Sequence, residues 1–241
     1  MKYILITGAS NGIGREVAKQ ISNKDTTVIL AARRRDKLEL VQSELEGEGI
    51  VIPCDLTKKE DIASLFHALQ ERGIKLDGMV YCAGICFIKP IKAMETDDLE
   101  RMFRVNVFGF YEMCRLFANR SVSNRGAVIV GVSSYAAASR ESGMSAYAMT
   151  KEAMNVQVQV LAKEFVKRKI RINTVMPANV MSKMACENNE WTEEEIAGVE
   201  SKQPLGVISI ESVAEVIRFL MSDAAKYITG ETIAISAGYH G

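Results

Sequence analysis

The chain has 241 residues, 48% of them hydrophobic, and its 30 basic side chains match 30 acidic ones. That length suffices for one substantial core, and zero net charge offers no general attraction for nucleic acid or an anionic membrane. No apolar run approaches the ~18 residues of a membrane-spanning helix. Five cysteines without a closely spaced metal-binding pattern, and two histidines, speak against a disulfide framework or a zinc site.

The first residues read as an opening strand over 2–7 rather than a signal peptide, which makes the cytoplasm the expected compartment. TGASNGIG at 7–14 follows as a turn, and a helix is expected over 13–24. A glycine-rich turn between a strand and a helix lets a pyrophosphate approach the backbone, with unpaired helix N–H groups facing its oxygens. Ser10 and Asn11 can add hydrogen bonds. The lysine of the nucleoside-triphosphate phosphate loop is absent, which favours a dinucleotide.

A second strand is expected over 27–32, ending in AARRRDK. This strand end faces the adenosine ribose in a dinucleotide fold. An acidic residue there would accept the free ribose hydroxyls of NAD. Arg33 and Arg34 stand there instead and favour the extra phosphate of NADP. A helix over 36–47 and a strand over 50–53 lead to Cys54, Asp55 and Leu56. Asp55 is either an adenine contact, with Leu56 packing on the ring, or a turn residue. Thr57 and Glu60 fit a capping box for a helix running to about residue 70, on which His67 is expected at the surface.

The fourth strand, over 77–82, exits through Ala83 and Gly84, small enough for the chain to pass beside a cofactor. A long helix starts at Thr96. Asn106 interrupts its apolar face, so its amide must brace backbone or hold a water. Residues 127–132 form a nearly continuous apolar strand, as in the centre of a parallel sheet, and place Ser133 and Ser134 at its carboxyl end, where open α/β sheets bind ligands. Ser134 can donate to a substrate oxygen, whereas Ser133 packs or caps. Tyr147 and Lys151, four apart on the next helix, share one face. The ammonium is expected to lower the phenol pKa and so enable proton transfer at an alcohol or carbonyl. A sixth strand over 170–175 ends at Pro177. Residues 179–205 carry Met181, Met184, Cys186, Trp191 and a run of glutamates, and either cover an apolar substrate or form structural contacts. A helix over 209–221 and a strand over 232–236 complete the chain. His240 lies near its end.

Together, TGASNGIG, CDL at 54–56, CAG at 82–84, Asn106, Ser134, YAMTK at 147–151, INTVMPA at 172–178 and FLMSDAAKYITG at 219–230 resemble the short-chain dehydrogenase/reductase family over nearly the whole chain. The resemblance implies a Rossmann-type α/β fold. Its parallel sheet has seven strands in the order 3-2-1-4-5-6-7, with helices on both faces. The whole of 1–241 would be one nucleotide-binding domain, with a substrate-covering segment around 179–207. Asn106, Ser134, Tyr147 and Lys151 would form the catalytic tetrad. Thr7, Gly8, Ser10, Asn11, Gly12, Ile13, Gly14, Arg33, Arg34, Asp55, Leu56, Ala83, Gly84, Tyr147, Lys151, Pro177 and Ser182 would hold the cofactor, NADP(H) in preference to NAD(H).

The implied activity is hydride exchange between NADP(H) and a carbonyl or secondary alcohol. The substrate would be a carrier-linked 3-oxoacyl thioester, or alternatively a sugar, steroid or other small ketone. A non-catalytic NADP-binding regulator is the alternative of a different class. No nucleic-acid or membrane partner is expected, and the family's habit implies a homodimer or homotetramer through the helices over 96–120 and 144–168. Tyr81 and Cys82 depart from the family's paired asparagines, Ala178 from its glycine, and the 235–238 ending from its acidic-glycine form.

Overall fold

A computed structural model of the chain describes residues 1–181 and 192–239. The expectations placed on Ser182, Met184, Cys186, Trp191 and His240 lie outside those residues. Seven strands form a single sheet: β1 (Lys2–Thr7), β2 (Thr26–Ala32), β3 (Gly49–Pro53), β4 (Leu76–Tyr81), β5 (Ser123–Val132), β6 (Arg171–Pro177) and β7 (Thr232–Ile235). Their order is β3-β2-β1-β4-β5-β6-β7, and every ladder is parallel. The order expected from the family resemblance is therefore the order found.

The strands are apolar on both faces because both faces are covered. Leu5, Ile29, Met79, Ile129 and Ile172 point to one side, where they meet α3 (Lys59–Glu71), α5 (Phe110–Phe117) and α7 (Ser145–Phe165) through Leu65, Phe117 and Val158. Ile6, Leu30, Val80, Val130 and Val175 point to the other, against Val17 of α1 (Gly12–Ile21) and Ile217 of α9 (Ile210–Met221). Alternation along each strand sorts neighbouring residues into these two cores. The remaining α-helices among the described residues are α2 (Arg35–Gln42), α4 (Thr96–Phe103), α6 (Ala136–Ser139) and α8 (Glu193–Glu200).

Three local expectations need correction. The second helix ends at Gln42, not at residue 47. Gly47 lies so close to the end of α1 that a Cβ there would stand 2.2 Å from the Asn23 carbonyl oxygen, and its N–H donates to Ser22 Oγ at 2.8 Å. Thr57 and Glu60 form no capping box. Lys58 is the N-cap of α3, because Thr57 gives its N–H and hydroxyl to Asp55 Oδ1 at 3.0 and 2.8 Å. A capping box does occur at α8, between Thr192 and Glu195, where the glutamates of the first turn are exposed.

The third correction bears on the site. The expected helix over 96–120 is divided by a π-helical turn, Arg104–Gly109, between α4 and α5. Such a turn inserts a residue and often marks a functional position. Two contacts hold it here. Tyr81, fully buried, donates its hydroxyl to the Val105 carbonyl at 2.6 Å. Gly109 lies so close that a Cβ would stand 2.7 Å from that hydroxyl and 2.9 Å from the Leu56 carbonyl oxygen. Tyr81, a departure from the family pattern, thus supplies a buried acceptor with its donor. Tyr81→Phe is expected to cost about 1–3 kcal/mol, and a fall in Tm of several degrees measured by thermal unfolding would show it.

Candidate active site

The turn after β1 is shaped by glycines. Gly8 has φ +64° and no room for a side chain, since its Cβ would lie 2.8 Å from the Ala83 backbone nitrogen. Gly12 has φ +55° but faces open space, with nothing within 4 Å of its Cβ position. Here the chain leaves out a side chain toward a cavity rather than toward protein. The cavity has a volume of about 480 Å³ and runs along the carboxyl edge of the sheet. A surface left bare of Cβ atoms at the start of a helix suits the diphosphate of a dinucleotide. Gly8, Ser10, Asn11, Gly12, Ile13 and Gly14 form one wall.

Arg33, Arg34, Asp55, Leu56, Ala83 and Gly84 also line the cavity. Partial burial pushes the Asp55 carboxyl up, but its Thr57 hydrogen bonds and the charges of Arg33 and Lys58 prevail and hold it below its ordinary value. Asp55 is thus a turn residue, and it also lies at the cavity. Thr7 and Pro177 are not among the lining residues. Thr7 is fully buried, and its hydroxyl accepts the Ala83 N–H at 3.4 Å. The Pro177 carbonyl accepts the Tyr135 N–H at 2.8 Å. The lining residues that sequence reasoning did not propose for the cofactor include Ile85, Arg101 and Val105. Val105 directly precedes Asn106, and Arg101 stands four residues before it, so one helix face carries both.

At the inner end, Gly84 joins the cavity to the polar cluster. A Cβ on Gly84 would stand 3.3 Å from Lys151 Nζ and 3.5 Å from Asn106 Oδ1. The Asn106 side chain is a brace. Its amide donates to the Ile85 carbonyl at 2.9 Å and to Thr150 Oγ1 at 3.0 Å, while Oδ1 accepts the Ile85 N–H at 2.9 Å. Both amide hydrogens are therefore engaged. The brace locks the segment after β4 to the π turn and to α7.

Ser134 leaves the end of β5, and its hydroxyl accepts the Ala136 N–H at 3.2 Å, which fixes it at the start of α6. It also hydrogen-bonds Tyr147. Ser133 caps rather than reacts, donating to the Lys151 carbonyl at 3.2 Å. Lys151 Nζ donates to the Val132 carbonyl at 2.8 Å and lies 5.5 Å from the Tyr147 ring centroid. Phenol and ammonium thus share one face of α7, beside the cavity.

Their electrostatics differ from expectation. Burial dominates and pushes the Tyr147 phenol above its ordinary value, against a smaller lowering by the Ser134 hydrogen bond. Burial likewise pulls Lys151 from its ordinary 10.5 down to about 8. Two thiols flank the ammonium, and burial raises both, Cys82 to about 12 and Cys86 to about 11. The phenol is therefore raised by burial rather than lowered by its lysine neighbour as expected.

Beyond Ser134, three segments close on one another. The Tyr135 ring lies 5.2 Å from that of Tyr239. Tyr239 donates its hydroxyl to Glu141, and Lys202 Nζ donates to the same carboxylate at 3.1 Å. Fully buried Gln203 ties down the chain beside α8, accepting the Asn179 N–H at 2.7 Å and donating to the Asn179 and Gly206 carbonyls.

The enoyl-(acyl carrier protein) reductase family model matches residues 8–240. A 3-oxoacyl-[acyl-carrier-protein] reductase of Rickettsia conorii is 31% identical, with 98% of this chain and 96% of that one aligned. An NAD-dependent glycerol dehydrogenase of Listeria innocua is 26% identical over 99% of this chain and 93% of its own. Among solved structures, a short-chain type dehydrogenase/reductase of Mycobacterium ulcerans superposes with a TM-score of 0.90 at 29% identity, covering 98% of this chain and 89% of that one.

Proposed function

The chain belongs to the short-chain dehydrogenase/reductase family of oxidoreductases, and from that premise we propose that it is an NADPH-dependent carbonyl reductase acting on 3-oxoacyl thioesters. The observation that carries the reading is the meeting of Ser134, Tyr147 and Lys151 at the Gly84 end of a cavity built on the TGASNGIG turn. The turn, Ala83 and Gly84 would hold the diphosphate and nicotinamide portions, and Asp55 and Leu56 the adenine. A nicotinamide held there would supply the hydride. Ser134 orients the carbonyl oxygen by hydrogen bonding, and Tyr147 Oη delivers the proton to it as general acid. Lys151 keeps positive charge beside the phenol and binds ribose hydroxyls. Asn106 fixes the π turn to Ile85 and Thr150, and that turn would hold a proton-carrying water.

Preference for NADPH rests on Arg33 and Arg34 at the cavity wall, where an acidic residue would otherwise serve NAD. Arg33→Gln is expected to lower kcat/KM for NADPH by about tenfold and to change that for NADH by less than about twofold. Equal losses with both would reject the assignment.

The acyl-thioester assignment is supported by kinship to the Rickettsia reductase. One basic cluster, Arg120, Arg125 and Arg168, surrounds the start of β5, the opposite end from Ser134. It is therefore no entrance patch for an acidic carrier in this protomer. Kinship to the glycerol dehydrogenase favours the second reading, a small polyol or ketone. One screen of purified protein decides: NADPH and NADH, each against acyl thioesters, sugar ketones, polyols and steroids. Highest efficiency on a thioester with NADPH is expected. Cofactor binding without turnover on any of them would indicate a regulator instead.

We also infer a homodimer or homotetramer. Phe108 and Tyr111, and Met149, Val156 and Val160 on α7, are large apolar side chains left at least half exposed. Each set has helical spacing that puts it on one face. Chain 1–241 would act as one domain, its 179–207 segment covering the substrate. Among the described residues no helix is long and apolar enough to cross a membrane, in keeping with a cytoplasmic enzyme.

A further inference from the structure

We infer that Arg101 is a cofactor-binding residue that clamps the dinucleotide diphosphate from the side opposite the glycine-rich turn. This rests on the dinucleotide reading above and adds a residue to it. Arg101 lies on α4, one turn before Val105, and both line the cavity whose other wall is the Gly8–Gly14 turn.

The guanidinium is poised rather than consumed. Its carbon lies 5.1 Å from the Phe87 ring centroid, a cation–π distance. The nearest carboxylate oxygen, Asp98 Oδ1, is 3.8 Å from Nη1, too long for a hydrogen bond. Asp98 is already engaged by Lys89 at 2.5 Å. The Arg101 side chain is 64% exposed, so its remaining N–H donors face solvent at the cavity rim.

Charge points the same way. The charged residues lining the cavity are Arg33, Arg34 and Arg101 against Asp55, so the lining is basic in a chain of zero net charge. Arg33 and Arg34 stand at the end of β2, on the adenosine side. Arg101 is on a different element, α4, and shares the cavity lining with Ile85 and Val105. The glycine turn offers backbone N–H groups but no side-chain cation of its own. A guanidinium fork on the open side supplies the missing positive charge and can bind two phosphate oxygens together.

The test is a binding titration of the full chain with NADPH, NADH and 2′-AMP. NADPH and NADH share the diphosphate, whereas 2′-AMP carries only the ribose phosphate. Arg101→Gln is expected to weaken NADPH and NADH alike, by roughly five- to tenfold, and to leave 2′-AMP unchanged. It should also flatten the salt dependence of dinucleotide binding. Arg101→Lys should recover part of the affinity. Arg33→Gln should show the complementary pattern, weakening NADPH and 2′-AMP while sparing NADH. Wild-type affinity of Arg101→Gln for both dinucleotides would overturn the clamp while leaving the dinucleotide reading intact, and so would a loss seen only in KM for an acyl thioester. A wild-type protein that binds none of the three ligands would overturn the reading itself.

Discussion

Tyr147→Phe should leave the fold and dinucleotide affinity close to wild type and reduce kcat by about 10²–10⁴-fold. The substitution removes one oxygen from a side chain that is 8% exposed and keeps the ring that packs with Met102 and Ala146. What disappears is the proton donor and the partner of Ser134. Because burial raises the phenol pKa, Tyr147 holds its proton throughout the neutral range and is ready as an acid for carbonyl reduction. Alcohol oxidation needs the phenolate instead, so wild-type oxidation should speed up as pH rises while reduction does not. A Tyr147→Phe enzyme with near-wild-type kcat, or wild-type oxidation that slows with rising pH, would remove the phenol from the reaction.

The parts of this site legible in the sequence are those set by local spacing. Gly8, Gly12 and Gly14 sit within one turn, and Tyr147 and Lys151 sit within one helical step, so strand, turn and helix signals sufficed. Sheet order followed from the resemblance, since strand pairing is not written in local pattern. Contacts between distant segments were hidden. Tyr81 and Val105 are 24 residues apart, and Glu141 and Tyr239 are 98 apart. Nothing in either neighbourhood announces its partner.

The π turn is an intermediate case. Met102, Asn106, Phe110 and Cys114 are all buried at steps of four. An α-helix turns about 100° per residue, so three such steps drift about 120° off one face. A face kept through that drift calls for an inserted residue, and Arg104–Gly109 provides it. The phenol and ammonium do lie together on α7, 5.5 Å apart from ring centroid to Nζ, but burial raises the phenol where a lowering was expected. Spacing reveals proximity, whereas desolvation depends on what every other element does around the pair.

That desolvation leads to the second large effect. Lys151→Met should abolish most turnover and yet make the cofactor-free protein more stable. Lys151 is 3% exposed, and burial pulls its pKa from 10.5 to about 8, so at pH 7 the fold holds an ammonium that water would solvate better. A shift of that size corresponds to about 3 kcal/mol against the folded state. Methionine fills similar space without charge but leaves the Val132 carbonyl without its 2.8 Å donor, which takes back about 1 kcal/mol. A net gain of about 1–2 kcal/mol, or about 2–6 °C in Tm, is expected at pH 7.

The pH dependence identifies the cause. Folded Lys151 loses its proton at lower pH than the unfolded chain does, so the penalty is complete below about pH 8 and fades as pH rises toward the ordinary 10.5. The stability gap between variant and wild type should therefore close across that window. A gap that stays constant with pH would trace the gain to packing, and a variant less stable than wild type at pH 7 would show that the ammonium is already compensated. Saturating NADPH should then narrow or reverse the order, because a ligand stabilises the form that binds it more tightly. The unfavourable buried charge is then an interaction that the free protein withholds and the bound dinucleotide completes.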